Sequence, residues 1–171
     1  MRTTPSHQRL LALYDTHSER VYRFCLRLSF GCPEDAEDLT QDVFLAALGS
    51  LPRFAGRSTT QTWLFRIAVF RSRERRQRRQ NLPTIAVPHE LSRGNTEKAL
   101  ADRLCLEQAL RCLSEVQREA FLLVKSEGFT SREAAAILKV PQGTVQSRVH
   151  EAITKLRAIL SEEDSDDRHR N

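Results

Sequence analysis

Apolar residues recur along this chain at steps of three and four, the spacing of one helix face. Leu10, Tyr14, His17, Val21, Phe24 and Leu28 form one stripe and predict a helix over about residues 8–30, ended by Gly31-Cys32-Pro33. A second helix is expected from Pro33, because proline and the acids Glu34, Asp35, Glu37 and Asp38 suit a first turn. Its apolar face is Ala36, Leu39, Val43, Ala47 and Leu48. Residues 50–60 carry Pro, Gly, Ser and Thr and read as an exposed loop; a third helix follows from about Gln61 to Arg79. Helical spacing resumes at Leu100, Leu104, Leu106, Leu110 and Leu113, then at Val116, Ala120, Phe121 and Val124. After a turn at Glu127–Thr130, a short helix runs to about Leu138, Lys139-Val140-Pro141 breaks it, and Val145, Val149, Ile153, Leu156 and Leu160 mark a last helix.

The stretch between these blocks, residues 80–96, has two prolines, a glycine and no helical period, as a linker has. No alternating strand pattern and no internal repeat is present. The expected fold is all-α: two small helical domains joined by a flexible linker, the C-terminal one a helix-turn-helix. The expected boundaries are 1–80 for the first domain, 81–96 for the linker and 97–160 for the second domain. Residues 161–171, with five acids and two arginines, are expected to be a frayed acidic tail.

Charge sharpens this division. Of the 27 basic residues, 23 are arginine, and the net charge is +5. Residues 1–88 carry +6 and residues 89–171 carry −1, so a polyanion partner is expected for the first half. No apolar run approaches the roughly 20 residues of a membrane span, so neither insertion nor a signal peptide is expected, and the expected location is the cytoplasm. Cys25 and Cys32, like Cys105 and Cys112, are seven residues apart. If both members lay on one helix they would be separated by roughly 10.5 Å, beyond disulfide reach. Buried thiols in a reducing compartment are the simpler reading, with a redox-sensing pair as the alternative.

Three segments carry candidate chemistry. In the third helix Arg66, Arg71, Arg73, Arg75, Arg76, Arg78 and Arg79 are opposed within the segment by Glu74 alone, and Phe54, Trp63, Phe65 and Phe70 interleave with them. Guanidinium charge holds a phosphate backbone while rings stack on unpaired bases. Trp63 and Ile67, at helical spacing, read rather as core. In the second half, Thr130 to about Arg157 reads as helix, tight turn, helix, with Ala134, Ala135 and Leu138 facing inward. Such a unit lays the start of its second helix in the major groove, where Gln146, Ser147, Arg148 and His150 can reach base edges or phosphates. The acids Glu34, Asp35, Glu37, Asp38 and Asp42 either cap their helix or dock a basic protein surface, and spacing does not decide between these. No phosphate loop, metal-ligand cluster or nucleophile–base pair stands out, so no catalytic residue, metal or cofactor is expected.

Together these motifs resemble the extracytoplasmic-function sigma factors of bacterial RNA polymerase. The residues that carry the likeness are Pro33-Glu34-Asp35-Ala36-Glu37-Asp38-Leu39-Thr40-Gln41-Asp42-Val43-Phe44, Phe54-Ala55-Gly56 with Thr62-Trp63-Leu64-Phe65-Arg66-Ile67-Ala68, and Gly128-Phe129-Thr130 through Gly143-Thr144-Val145-Gln146-Ser147-Arg148-Val149. The resemblance implies a dissociable promoter-specificity subunit that opens DNA for transcription initiation. It implies contact of Asp38, Leu39, Gln41, Asp42 and Phe44 with the clamp coiled coil of the polymerase core, the flap being a second contact of the subunit. It implies −10 binding by Phe54, Ala55, Gly56, Arg57, Ser58, Arg66, Phe70, Arg71, Arg73, Arg75 and Arg76, the loop cupping an unpaired base. For the −35 duplex it implies Arg132, Thr144, Gln146, Ser147, Arg148, His150 and Glu151. An anti-sigma factor is a common partner in the family.

Four positions depart from the family pattern: Phe70 where asparagine is usual, Glu151 and Ile153 where arginines are usual, and Ser114 for a common proline. Phe70 exchanges a hydrogen-bonding amide for a stacking ring, and Glu151 places a carboxylate near phosphates. A stand-alone helix-turn-helix regulator with a basic helical partner domain would share the charge pattern, but would bind duplex DNA without polymerase. An enzyme acting on nucleic acid is the weakest reading.

Overall fold

The computed structural model describes residues 5–80 and 108–167. They fall in two compact units divided between Leu91 and Ser92. The expected linker at 81–96 lies outside the described residues, as do Leu100, Leu104, Leu106 and Cys105. Every regular element among the described residues is helical, and none of these helices is long and apolar enough to cross a membrane.

In the first unit α1 (Pro5–Leu28), α2 (Pro33–Ser50) and α3 (Thr60–Gln80) pack in alternating directions, with a single 3-10 turn, Leu51–Arg53, after α2. Val21, Phe24 and Leu28 of α1, Ala36, Leu39 and Val43 of α2, and Leu64, Phe65 and Ala68 of α3 build the core. The Phe24 and Phe65 rings lie 4.7 Å apart at its centre. The expected α1 stripe is buried only in its second half: Tyr14 is 49% exposed. The reason is alignment. α1 and α3 run parallel and meet at Phe24 and Phe65, so α3 begins level with about residue 19 of α1, and the upstream turns of α1 have α2 as their partner. There Tyr14 sets its ring edge against Phe44, 4.8 Å away.

The α1–α2 corner closes by hydrogen bonds characteristic of a left-handed helix stop: Gly31 N–H donates to Leu26 C=O and Phe30 N–H to Arg27 C=O. Phe30 itself takes the left-handed conformation (φ 53°), as does Gly31 (φ 79°). Cys32 then caps α2, its Sγ accepting from Asp35 N–H at 3.4 Å. Because α1 ends at Leu28, Cys25 and Cys32 lie on different elements, contrary to the one-helix premise; both are buried thiols. Burial pushes the Cys25 thiol up to about 12, so it stays protonated and unreactive at neutral pH.

The described residues of the second unit begin with helical residues 108–111, followed by α4 (Glu115–Phe121), α5 (Ser131–Leu138) and α6 (Gln142–Asp167). α6 thus continues through most of the stretch expected to be frayed. α4 does not end as an α-helix but passes into a π turn, Leu122–Ser126, with Glu127 N–H bonded to Leu122 C=O at 2.9 Å. Leu122 and Leu123 in this turn are fully buried and Val124 half-buried, while in α4 Phe121 is half-buried and Val116 lies at the surface. The expected stripe of Val116, Ala120, Phe121 and Val124 is therefore core at Ala120 alone. Along α6 the buried positions are Val145, Val149, Ala152 and Leu156, with Ile153 half-buried beside them.

Thr130 opens α5 with a reciprocal cap: its Oγ1 accepts from Glu133 N–H, while Glu133 Oε2 accepts from Thr130 N–H at 2.9 Å. The Thr130 hydroxyl also donates to Glu133 Oε2 at 2.8 Å, and this bond, with that from the Thr130 N–H, holds the Glu133 carboxyl below the usual range. Replacing Thr130 with Ala is expected to cost about 1 kcal/mol, read as a melting temperature several degrees lower.

Candidate nucleic-acid interfaces

α2 presents its predicted acids on two different faces. Asp38 and Gln41 are exposed and Asp42 is half-buried. Leu39 and Phe44, expected to meet a partner protein, are instead 2% and 6% exposed. They anchor α2 to the bundle: on a helix, positions 39 and 43 share the inward face while 38, 41 and 42 point away.

The loop after α2 is shaped by Gly56, whose φ of +67° suits glycine. Ala55, Gly56 and Arg57 are exposed and Ser58 half-buried. Thr59 ties the loop to α3, its Oγ1 accepting from Thr62 N–H at 3.1 Å. Phe54 folds back onto this start and stacks on Trp63, with ring centroids 4.6 Å apart and planes at 30°. Both rings are half-buried. Trp63, which the spacing assigns to the core, is thus half of a surface platform. The buried face of α3 lies one position further round, at Leu64, Phe65, Ala68 and Val69. Two turns beyond Trp63 on the same side, Phe70 is 59% exposed.

The arginines of α3 are not a bare solvated row. Arg71 pairs with Glu74 at 2.7 Å on its own helix. Arg75 Nε donates to Asp42 Oδ2 at 2.8 Å, and its Nη1 lies 3.9 Å from Asp38. Arg79 grips Asp35 with both terminal nitrogens. Arg66, Arg73 and Arg76 are half-buried and Arg78 is exposed. Sequence reading missed the partnership of Asp35 with Arg79, which is 44 residues distant. An open groove of about 480 Å³ between α2 and α3 is lined by Asp42, Leu45, Gly49, Arg71, Arg75 and Arg78.

The Arg79 bond is the main reason that the Asp35 carboxyl sits below the usual range, against the opposing effect of burial. A carboxylate with a depressed folded value stabilises the fold above its unfolded value and loses that contribution as pH falls through the folded one. The melting-temperature gap between this chain and an Asp35→Asn variant is therefore expected to hold from neutral pH to about pH 4 and to close below it.

In the second unit α5, the turn at Lys139–Pro141 and α6 form a helix-turn-helix, with Lys139 in the left-handed conformation (φ 56°) that ends α5. Gln146, Ser147 and His150 are exposed along the outer side of α6, Thr144 and Arg148 are half-buried, and Arg132 is exposed on α5. Val145 and Val149 alternate with them on the inner side, which fixes the helix's rotation. Glu151 is exposed but tethered: its Oε2 accepts from Gln117 Nε2 at 2.7 Å. Gln117 Oε1 in turn accepts from Lys155 Nζ at 3.1 Å and from Ser114 N–H at 3.2 Å. The two departures at Ser114 and Glu151 belong to one network joining the start of α4 to the outer turn of α6. Gln117 and Lys155 went unnoticed because their residue types carry no motif.

Residues 13–81 match the family Sigma-70 region 2, and residues 103–156 match Sigma-70, region 4. The ECF RNA polymerase sigma factor SigC of Mycobacterium tuberculosis (strain CDC 1551 / Oshkosh) is 33% identical over 92% of this chain and 85% of its own. ECF RNA polymerase sigma factor EcfG of Rhodopseudomonas palustris (strain TIE-1) is 36% identical over 84% of this chain and 81% of its own. Among solved structures, the sigma factor RpoE in complex with the anti-sigma factor NepR from Bartonella quintana aligns with a TM-score of 0.69 and 28% identity, covering 90% of this chain and 98% of that one. With both regions present in order and these relatives matched over more than four fifths of their length, the chain belongs to the extracytoplasmic-function sigma factors of RNA polymerase.

Proposed function

We propose that this chain directs RNA polymerase core to promoters and helps to open them, with its contacts divided among three surfaces. Asp38, Gln41 and Asp42 on α2 meet the clamp coiled coil, with Leu39 and Phe44 supporting them from within. The loop of Phe54, Ala55, Gly56, Arg57 and Ser58 holds an unpaired −10 base on the Phe54–Trp63 platform, and Phe70 offers a second ring. Arg66, Arg71, Arg73, Arg75 and Arg76 attract the strand's phosphates. Arg132, Thr144, Gln146, Ser147, Arg148 and His150 read the −35 duplex, with Glu151 setting the helix from behind. In this reading the first domain is residues 1–80, the linker 81–96 and the second domain 97–160. An anti-sigma factor is a further partner, as in the solved complex with NepR.

The observation that carries this reading is the stacked, half-open Phe54–Trp63 pair at the head of an arginine-bearing helix. Opening DNA costs about 1.4 kcal/mol per base-pair step. One stacked base returns roughly 1–3 kcal/mol, so the polymerase supplies the rest and the isolated chain does not melt promoters. The test is co-elution of the purified chain with polymerase core at moderate salt, followed by transcription from discrete promoters. No co-elution overturns the proposal, and a duplex footprint from the chain alone would favour a stand-alone regulator.

A further inference from the structure

The salt bridges between α2 and α3 join two surfaces assigned above to different ligands. Arg75 spans Asp42 and Asp38, and Arg79 is held by Asp35. Asp38 and Asp42 are the acids offered to a basic protein surface; Arg75 and its neighbours are the cations offered to a strand. We propose that these pairs are an autoinhibitory latch: in the free chain the α2 aspartates occupy Arg75 and Arg79, and a basic partner helix seated on α2 releases them to phosphates. The inference rests on α3 being the strand-binding helix.

Geometry supports exchange rather than a permanent structural role. The Arg75 side chain is 27% exposed and its partners Asp42 and Asp38 are 41% and 67% exposed, so an incoming cation or phosphate reaches both sides. Arg79 is 63% exposed while Asp35 is 28% exposed, so the arginine is the more accessible member. Solvent-accessible pairs of this kind are weak and screened by salt. A ligand that gains even one charge-assisted bond can therefore displace them. By linkage the coupling is reciprocal: a strand on Arg75 and Arg79 bares Asp35, Asp38 and Asp42, favouring the basic partner by the same factor.

The test uses the full chain without polymerase and a fluorescent single-stranded DNA oligonucleotide, read by anisotropy at low and moderate salt. Two double variants change net charge equally. Asp35→Asn with Asp42→Asn opens the latch, and Glu34→Gln with Glu37→Gln alters the exposed side of the same helix. The first is expected to tighten oligonucleotide binding about three- to tenfold, the range that two weak pairs allow, and the second by less than twofold. Equal effects from both doubles, or none from the first, overturn the latch. As a check that needs no substitution, the Arg75 and Arg79 Nε–H resonances of the native chain should move as oligonucleotide is added. If they stay fixed while the chain binds, the latch also falls. If no form of the chain binds the oligonucleotide, even within holoenzyme, the strand-binding reading of α3 fails and the latch with it. Failure of the latch alone leaves native binding intact.

Discussion

Reversing two charges on α2, Asp38→Lys with Asp42→Lys, is expected to lower affinity for polymerase core at least about 100-fold, since like charges across an interface cost several kcal/mol. The variant should still fold. Asp38 is 67% exposed and Asp42 41%, so the pairs lost to Arg75 are surface pairs, each worth about 1 kcal/mol or less. Circular dichroism and a thermal melt close to those of the native chain, beside loss of co-elution with core, are the expected pair of results. Retained co-elution would refute the assignment of this face. Lysines facing Arg75 also repel it from α2, so the same variant should bind single strands more tightly in isolation while failing to assemble. A simple loss of folding would depress both activities together.

Phe54→Ala is expected to slow promoter opening by holoenzyme roughly 5- to 150-fold, the span of 1–3 kcal/mol of base stacking, and to leave closed-complex affinity within about twofold. Phe54 does two things in the structure: it forms half of the ring platform, and through Trp63 it holds the Gly56 turn against the head of α3. Permanganate reactivity of −10 thymines reports opening, and a gel shift at low temperature reports closed binding. Equal losses in both assays would mean that Phe54 shapes the domain rather than holds a base. Trp63→Ala should reproduce the split, because a lone Phe54 ring has nothing to stack against.

Much of the fold was legible because helices leave a period in the sequence. The bounds of α2, α3 and α5 and the position of the helix-turn-helix follow from apolar spacing, prolines and caps. What spacing could not give was which of two adjacent apolar positions faces inward. Trp63 and Ile67 share a helical step with each other, but Leu64, Phe65 and Ala68 fill the core. Likewise Leu39 and Phe44 sit in a motif read for its partner contacts, although their chemistry is that of core residues. The platform at Phe54 was half visible; its second ring depends on a loop folding back nine residues. The salt bridges were invisible as pairs. Acidic and basic clusters can be counted, but Arg75–Asp42 and Arg79–Asp35 join residues 33 and 44 apart, a distance that a bundle's geometry, not a motif, decides.

The π turn at Leu122–Ser126 has a consequence for chain length. Each residue of an α-helix advances the winding by about 100°. A π turn closes with one residue more than an α turn, so deleting one residue here would restore regular winding and leave the helix-turn-helix at nearly the same bearing about α4. Loss of a single codon in this segment would therefore be absorbed by the winding, whereas the same loss within α4 would turn Gln146 and Arg148 by about 100°.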